Sequence, residues 1–336
     1  MDTRHARDGH VAPSLPVATM KAVVFDDYGA AEVLRVTDLP VPEPGPGQVR
    51  VQVRAAGVQP ADCATRSGWF AQRGIGLSSL PRQLGNEFAG VIDRVGADVT
   101  EFAPGDEVLG WTSANAYAEA VCVDVVQLVR KPLMMSWAVA GALSASGQTA
   151  HTAVEALAIE RGDTVLVHAA AGGVGTMAVQ LARHRGARVI GTASRENHDY
   201  LRQFGVEPVL YGDGLAERVR AMAPHGIHAA LDASGKGALD ASIALGIDPR
   251  RIGTLVAFED VQRLGVQGIR SQRSRQRLQA LVDLHDAGQL RVHVRDIYPL
   301  AYAAVAHRDV ENGHGRGKVV LMVYDAQVPL GLKPAA

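Results

Sequence analysis

The stretch from Thr164 to Gln180 constrains this chain most. Thr164–His168 (TVLVH) is a short, nearly continuous apolar run. Such a run fits a strand buried on both faces of a parallel sheet. Ala169-Ala170-Ala171-Gly172-Gly173-Val174-Gly175 follows. Val174, Met177, Ala178 and Leu181 then fall at i, i+3, i+4 and i+7, one face of a helix. Arg188–Thr192 reads as the next strand. Strand, small-residue loop, helix and strand thus occur in order within about 30 residues, the context a dinucleotide fingerprint requires. Ala170-x-Gly172-x-x-Gly175 fits that fingerprint with Ala in its first place. Small residues let backbone N–H groups approach a pyrophosphate, and the helix N-terminus presents its free donors to that anion. The pattern predicts a phosphate cradle at Ala171, Gly172, Gly173, Val174 and Gly175.

The second strand ends Ile190-Gly191-Thr192-Ala193-Ser194-Arg195. An NAD site normally carries Asp or Glu about 20 residues past the glycines, to hold the ribose 2′-OH. A hydroxyl and a guanidinium stand here instead, which suits a 2′-phosphate. NADPH is the expected cofactor.

Before residue 145 the chain is different. Gln48–Ala55 alternates apolar and polar residues, and Phe88–Val95 and Tyr117–Val123 also read as strands, with Pro and Gly between them. Many short strands so punctuated suggest a barrel or sandwich. After residue 145, Pro208–Tyr211, His228–Asp232 and Ile252–Ala257 are further strand candidates. Gly214–Ala223 and Ser271–Ala287 read as helices, and Val292–Tyr298 and Lys318–Val323 return to strand.

The 336 residues suit two domains, and 34 basic against 35 acidic side chains leave no basic footprint for nucleic acid. Two cysteines, Cys63 and Cys122, make neither a disulfide framework nor a four-cysteine zinc site. They fit a reduced, cytoplasmic setting. No apolar run is long enough for a membrane span. Met1–Thr19 lacks the apolar core of a signal peptide and reads as a mobile leader.

These residues together resemble the zinc-independent, quinone-oxidoreductase-like branch of the medium-chain dehydrogenase/reductase superfamily. The resemblance spans about Met20 to Val323 and is carried by several segments. They are Met20-Lys21-Ala22-Val23, the Pro42–Gln48 connector, Ala55-Ala56-Gly57-Val58-Gln59-Pro60-Ala61-Asp62, Ala89-Gly90-Val91-Ile92, Gly105-Asp106-Glu107-Val108, Val167–Gln180 and Gly317-Lys318-Val319-Val320. It implies an α/β chain with a GroES-like β-barrel catalytic domain, residues 20–145 and 288–336, around a Rossmann NADPH domain, residues 146–287. It also implies a homodimer paired through an edge strand near Leu264–Ile269. Carried over by position, Ser194, Arg195, Asn197 and Tyr211 surround the 2′-phosphate, with Asn197 where relatives have Lys. Thr149, the turn begun by Asp232, Phe258 and Lys318 fall at other cofactor positions.

Zinc-dependent relatives have Cys and His where this chain has Gln59 and Asn86. Amides are weak zinc ligands, and His225 and His228 have no Cys or acidic neighbour in sequence, so no catalytic metal is expected. The resemblance then implies a reductase. A quinone or an α,β-unsaturated carbonyl delocalises the arriving charge itself, so the protein mainly positions it. Gln59 would contact substrate or nicotinamide, Trp69 would wall the cleft, and Tyr117 or water would supply the proton. A tailoring enoyl reductase of a polyketide-like pathway and a non-catalytic NADPH-binding protein stay open as alternatives.

Overall fold

The computed structural model describes residues 18–75, 80, 82–313 and 315–323. The expected leader therefore lies outside the described residues up to position 17, and Thr19 already belongs to a strand.

The first part of the chain is β-rich. Its elements are β1 (Thr19–Phe25), β2 (Arg35–Pro40), β3 (Gln48–Val58), α1 (Pro60–Arg66), β4 (Arg82–Gln83), β5 (Glu87–Val95), β6 (Glu107–Trp111), β7 (Ala120–Asp124) and β8 (Leu128–Arg130). Helix α2 (Trp137–Ala156) leads into β9 (Thr164–His168), α3 (Gly173–His184), β10 (Arg188–Ala193), α4 (His198–Arg202), β11 (Glu207–Leu210), α5 (Leu215–Met222) and β12 (Ala229–Asp232). Then come α6 (Ala238–Ala244), β13 (Ile252–Thr254), α7 (Val261–Leu264), β14 (Gln267–Gly268), α8 (Arg275–Asp286), β15 (Val294–Pro299), α9 (Ala303–Glu311) and β16 (Lys318–Met322).

Strands β9 to β14 form a parallel sheet in the order β11-β10-β9-β12-β13-β14. All five residues of β9 are buried, which is why its sequence shows no alternation. The winding direction reverses between β10 and β12, on either side of β9. Ligands of doubly wound sheets sit at that reversal, beyond the carboxyl ends of the strands. The glycine loop leaves β9 at that point.

The second large sheet runs β15-β16-β3-β5-β6-β8, with β7 also paired to β3. The chain returns to it at the end, since β16 pairs antiparallel to β3. A small sheet β2-β1-β4 completes the first half. The strand expected over Tyr117–Val123 begins only at Ala120; Ala118 makes an isolated bridge to Ala22 instead. The strand expected to reach Ala257 stops at Thr254, because the Thr254 hydroxyl accepts from the N–H groups of Val256 and Ala257 and curls the chain.

Helix α2 joins the halves. Thirteen of its twenty residues are buried, Ala142 against Ala55 and Val320 of the barrel, and Ala150 and Val154 in the core that holds Val165 and Val167 of the parallel sheet. The expected division at 145/146 falls inside this continuous helix.

Candidate active site

The glycine loop has the shape its composition suggests. Ala169 takes φ 54°, and its N–H and that of Ala170 reach the hydroxyl and carbonyl of Thr192 on β10. Gly172 then caps α3, and Gly172, Gly173 and Val174 stay partly exposed. Gly175 is buried, and a Cβ there would lie 2.1 Å from the Ala169 carbonyl oxygen. A Cβ on Gly173 would sit 3.0 Å from Lys318 Cδ and 3.2 Å from Ser146 Oγ. Gly317 donates its N–H to the Ala171 carbonyl at 2.9 Å, tying the start of β16 to the loop. An open helix N-terminus with no room for side chains at its rear fits a pyrophosphate.

At the end of β10, Ser194 donates to Glu196 Oε1 and accepts from buried Asn197 Nδ2, each at 3.0 Å. Arg195 is exposed beside them. Tyr211, 53% exposed, follows β11, the next strand. Thr149 faces its own helix and donates to the Ala145 carbonyl at 2.7 Å. Phe258 lies in a short helical turn beyond β13 under the Arg270 guanidinium.

Asp232 is fully buried and spent on structure. One carboxylate oxygen accepts from the N–H groups of Ser234 and Gly235 at 2.8 Å, the other from Thr254 Oγ1 at 2.8 Å. It shapes the turn that follows β12.

A second cluster lies where β16 and the barrel meet the loop. Glu87 is fully buried. Its carboxylate accepts from Gln59 Nε2, from the Ala145 N–H at 2.6 Å and from Lys318 Nζ at 3.0 Å. The Lys318 ammonium therefore faces Glu87, while its stem packs beside Gly173. Gln59 precedes α1, and its N–H donates to Asp62 Oδ2 at 2.9 Å. Burial pushes the Asp62 carboxyl up to about 6, against hydrogen bonds from Tyr117 and Gln59 that pull it down.

Tyr117 does not suit the expected proton delivery. It is 0% exposed, its hydroxyl donates to Asp62 at 2.9 Å, and burial raises its pKa well above the ordinary value. Tyr117 positions Asp62. Trp69 lies beyond α1, 36% exposed, stacked edge-on against Phe70 with the Arg73 guanidinium over its ring. Positions 76–79 of the Gly-rich stretch Ser67–Leu80 lie outside the described residues.

The zinc positions are filled by committed groups. Gln59 Nε2 is bound to Glu87, and Asn86 Oδ1 takes the Arg273 guanidinium at 3.1 Å. Two amides beside a fixed cation do not fit a catalytic zinc ion. Among the described residues no group of three His, Cys, Asp or Glu could hold a metal. His228 Nδ1 accepts from the Thr164 N–H at 2.8 Å and so supports β9. Cys63 is buried against the His307 carbonyl, and burial raises its thiol pKa.

Arg273 was not singled out from the sequence, and Glu87 only as the last residue of Gly85-Asn86-Glu87, where zinc-dependent relatives have Gly-His-Glu. Its place as an acid opening the apolar run Glu87-Phe88-Ala89-Gly90-Val91-Ile92 was the further signal for Glu87. Arg273, one of several arginines between Arg270 and Arg277, carried none.

A family model described as alcohol dehydrogenase GroES-like domain matches residues 45–132, and one described as zinc-binding dehydrogenase matches residues 204–321. The chain is 33% identical over 330 residues to a quinone oxidoreductase of Pseudomonas aeruginosa, covering 90% of this chain and 99% of that one. It is 34% identical over 303 residues to the spectinabilin polyketide synthase system protein NorB of Streptomyces orinoci, covering 85% of this chain and 14% of that longer one. A solved mycobacterial structure complexed with NADPH is similar, with TM-score 0.80 and 30% identity over 90% of this chain and all of that one.

Proposed function

Since the chain belongs to the quinone-oxidoreductase-like branch of the medium-chain dehydrogenase/reductase superfamily, a branch of oxidoreductases, we propose that it is a metal-independent reductase that passes a hydride from NADPH to a quinone or an activated α,β-unsaturated carbonyl. Its fold is the expected one, a GroES-like domain beside a Rossmann sheet.

The observation that carries this reading is the joint placement of two features. The open N-terminus of α3 lies beyond the carboxyl end of β9, and Ser194 and Arg195 lie at the matching end of β10. Backbone N–H groups at the start of α3, those of Gly173 and Val174, would hold the pyrophosphate, the Gly172 N–H being given to the Ala169 carbonyl at 3.0 Å. Ser194 and Arg195 would hold the 2′-phosphate, with Asn197 fixing the Ser194 hydroxyl and Tyr211 beside them. Thr149, Phe258 and the turn held by Asp232 would line the nicotinamide half. Bound there, NADPH supplies the hydride.

The chain's own task is then to position the acceptor. Gln59 is held by Glu87 and by the start of α1, and Trp69 provides an apolar wall. With Tyr117 committed to Asp62, water delivers the proton that completes reduction. The likeness to a polyketide synthase protein supports a second reading, an enoyl thioester as the natural acceptor. A panel of quinones, enones and enoyl thioesters, followed by NADPH absorbance with and without chelator, tests both. Strand β14, at the edge of the parallel sheet, supports a homodimer, which light scattering tests. Among the described residues no helix is long and apolar enough to cross a membrane.

A further inference from the structure

Arg273 lies in the short connection between β14 and α8, and that connection is pinned on both sides. The Gln272 N–H donates to Thr152 Oγ1 at 3.1 Å, and the Ser274 N–H donates to Gln148 Oε1 at 2.8 Å. Both acceptors stand on α2. The Arg273 guanidinium reaches from there to the barrel. It donates to the Asn86 carbonyl at 3.0 Å, to Asn86 Oδ1 at 3.1 Å and more weakly to the Thr112 carbonyl at 3.4 Å. Arginine has no acceptor, so the atom of Asn86 that faces it must be the oxygen. The Asn86 NH2 group is thereby turned away from Arg273. It is half-buried and spent on no partner among the described residues. A guanidinium on the amide oxygen also withdraws charge and makes that N–H a better donor.

The neighbourhood puts this donor at the reaction cleft. Asn86 adjoins Glu87, whose carboxylate binds Gln59 and Lys318, and Lys318 packs beside Gly173 of the phosphate loop. Gln59 Nε2, the amide expected to meet the substrate, is drawn toward Glu87. Burial pulls the Arg273 guanidinium below its ordinary value, and the carboxylates of Glu87 and Asp62 that face it act the other way.

We propose that Asn86 Nδ2 is the hydrogen-bond donor to the carbonyl oxygen of the acceptor, with Arg273 as the positioning residue that aims it. This rests on the reductase reading above. As the hydride pair adds to the alkene β-carbon, or to a quinone, electrons move onto the carbonyl oxygen. Asn86 stabilises that oxyanion, and a proton from water completes reduction.

Asn86→Asp tests the donor directly. It keeps both oxygens that Arg273 binds, replaces the N–H donor by an acceptor and adds a negative charge. Against naphthoquinone and an aryl vinyl ketone, turnover should fall by about 10²-fold, the scale for losing one oxyanion donor. NADPH affinity should stay within about twofold. Arg273→Lys should fall between wild type and N86D, since it keeps charge but not the two-point grip. Asn86→Ala removes the same donor without adding charge, and its turnover should fall on the same scale. A readout without turnover is 4-nitrophenolate, an enolate mimic, titrated into the isolated protein. Wild type should bind it at least about tenfold more tightly than N86A. Turnover of N86D or N86A within about threefold of wild type, or equal phenolate affinity of wild type and N86A, overturns the proposal. Wild type that binds the phenolate preferentially but reduces no acceptor would sink the reductase reading instead.

Discussion

Lys318 and Glu87 form an ion pair at 3.0 Å with side chains 3% and 0% exposed. It links the last strand, the start of β5 and the helix that bridges the halves, because Glu87 also takes the Ala145 N–H. Removing one partner of a buried pair strands the other charge, which costs about 3–5 kcal/mol. Lys318→Met should lower urea stability by that amount. Adding Glu87→Gln should recover part of it, since a neutral amide needs no counter-ion.

Cofactor preference follows from the end of β10. Arg195→Ala should weaken NADPH by roughly 1.5–3 kcal/mol, the value of a hydrogen bond to a charged group, and leave NADH nearly unchanged. Fluorescence titration of both cofactors checks this. Equal affinity of the wild type for the two would contradict the assignment of Ser194 and Arg195.

Two loop glycines should fail differently. A Cβ on Gly175 meets backbone at 2.1 Å, so Gly175→Ala should destabilise the fold itself. At Gly173 the nearest atoms are Lys318 Cδ at 3.0 Å, Ser146 Oγ at 3.2 Å and the Gly317 carbonyl oxygen at 3.3 Å, a looser fit than at Gly175. Gly173→Val should therefore stay folded and lose NADPH, as thermal melting and titration together would show.

The pH dependence of stability should carry two opposed contributions. Burial, with Arg66 nearby, pushes His307 down to about 3, so the unfolded chain takes up a proton between there and the ordinary 6.5. Its contribution is complete above pH 6.5 and is lost as pH falls toward 3. Asp62 is raised to about 6 from 3.8, so the folded chain holds the extra proton and stability declines as pH rises through that window. Each contributes up to about 1.4 kcal/mol per pH unit. From pH 6 to 4, His307→Leu should lose stability less steeply than wild type, and Asp62→Asn more steeply. Urea midpoints across that range check both slopes.

What could be read from the sequence was local. Thr164–His168 and the helix after it follow from adjacent residues obeying one period, and the chain forms them as expected. Helix α2 escaped notice because it is buried nearly all round, in Ala, Gly and Ser, and so shows no apolar stripe. The Glu87 cluster and the Arg273–Asn86 contact join residues far apart in the chain, the latter 187 positions. No pattern in composition or spacing encodes such contacts. Tyr117 shows the same limit from the other side, since its residue type suits proton transfer and only its burial against Asp62 excludes it.

The chemistry proposed for this chain is direct hydride transfer without metal. Its most direct test is a single turnover with NADPH deuterated at C4, after exhaustive chelation, using a quinone and an enone. Direct transfer predicts unchanged rates after chelation, a primary isotope effect on the hydride step, and deuterium at the β-carbon of the saturated ketone. Activity that disappears with the chelator and returns with zinc, or enone product free of deuterium from either face of the nicotinamide, would contradict it.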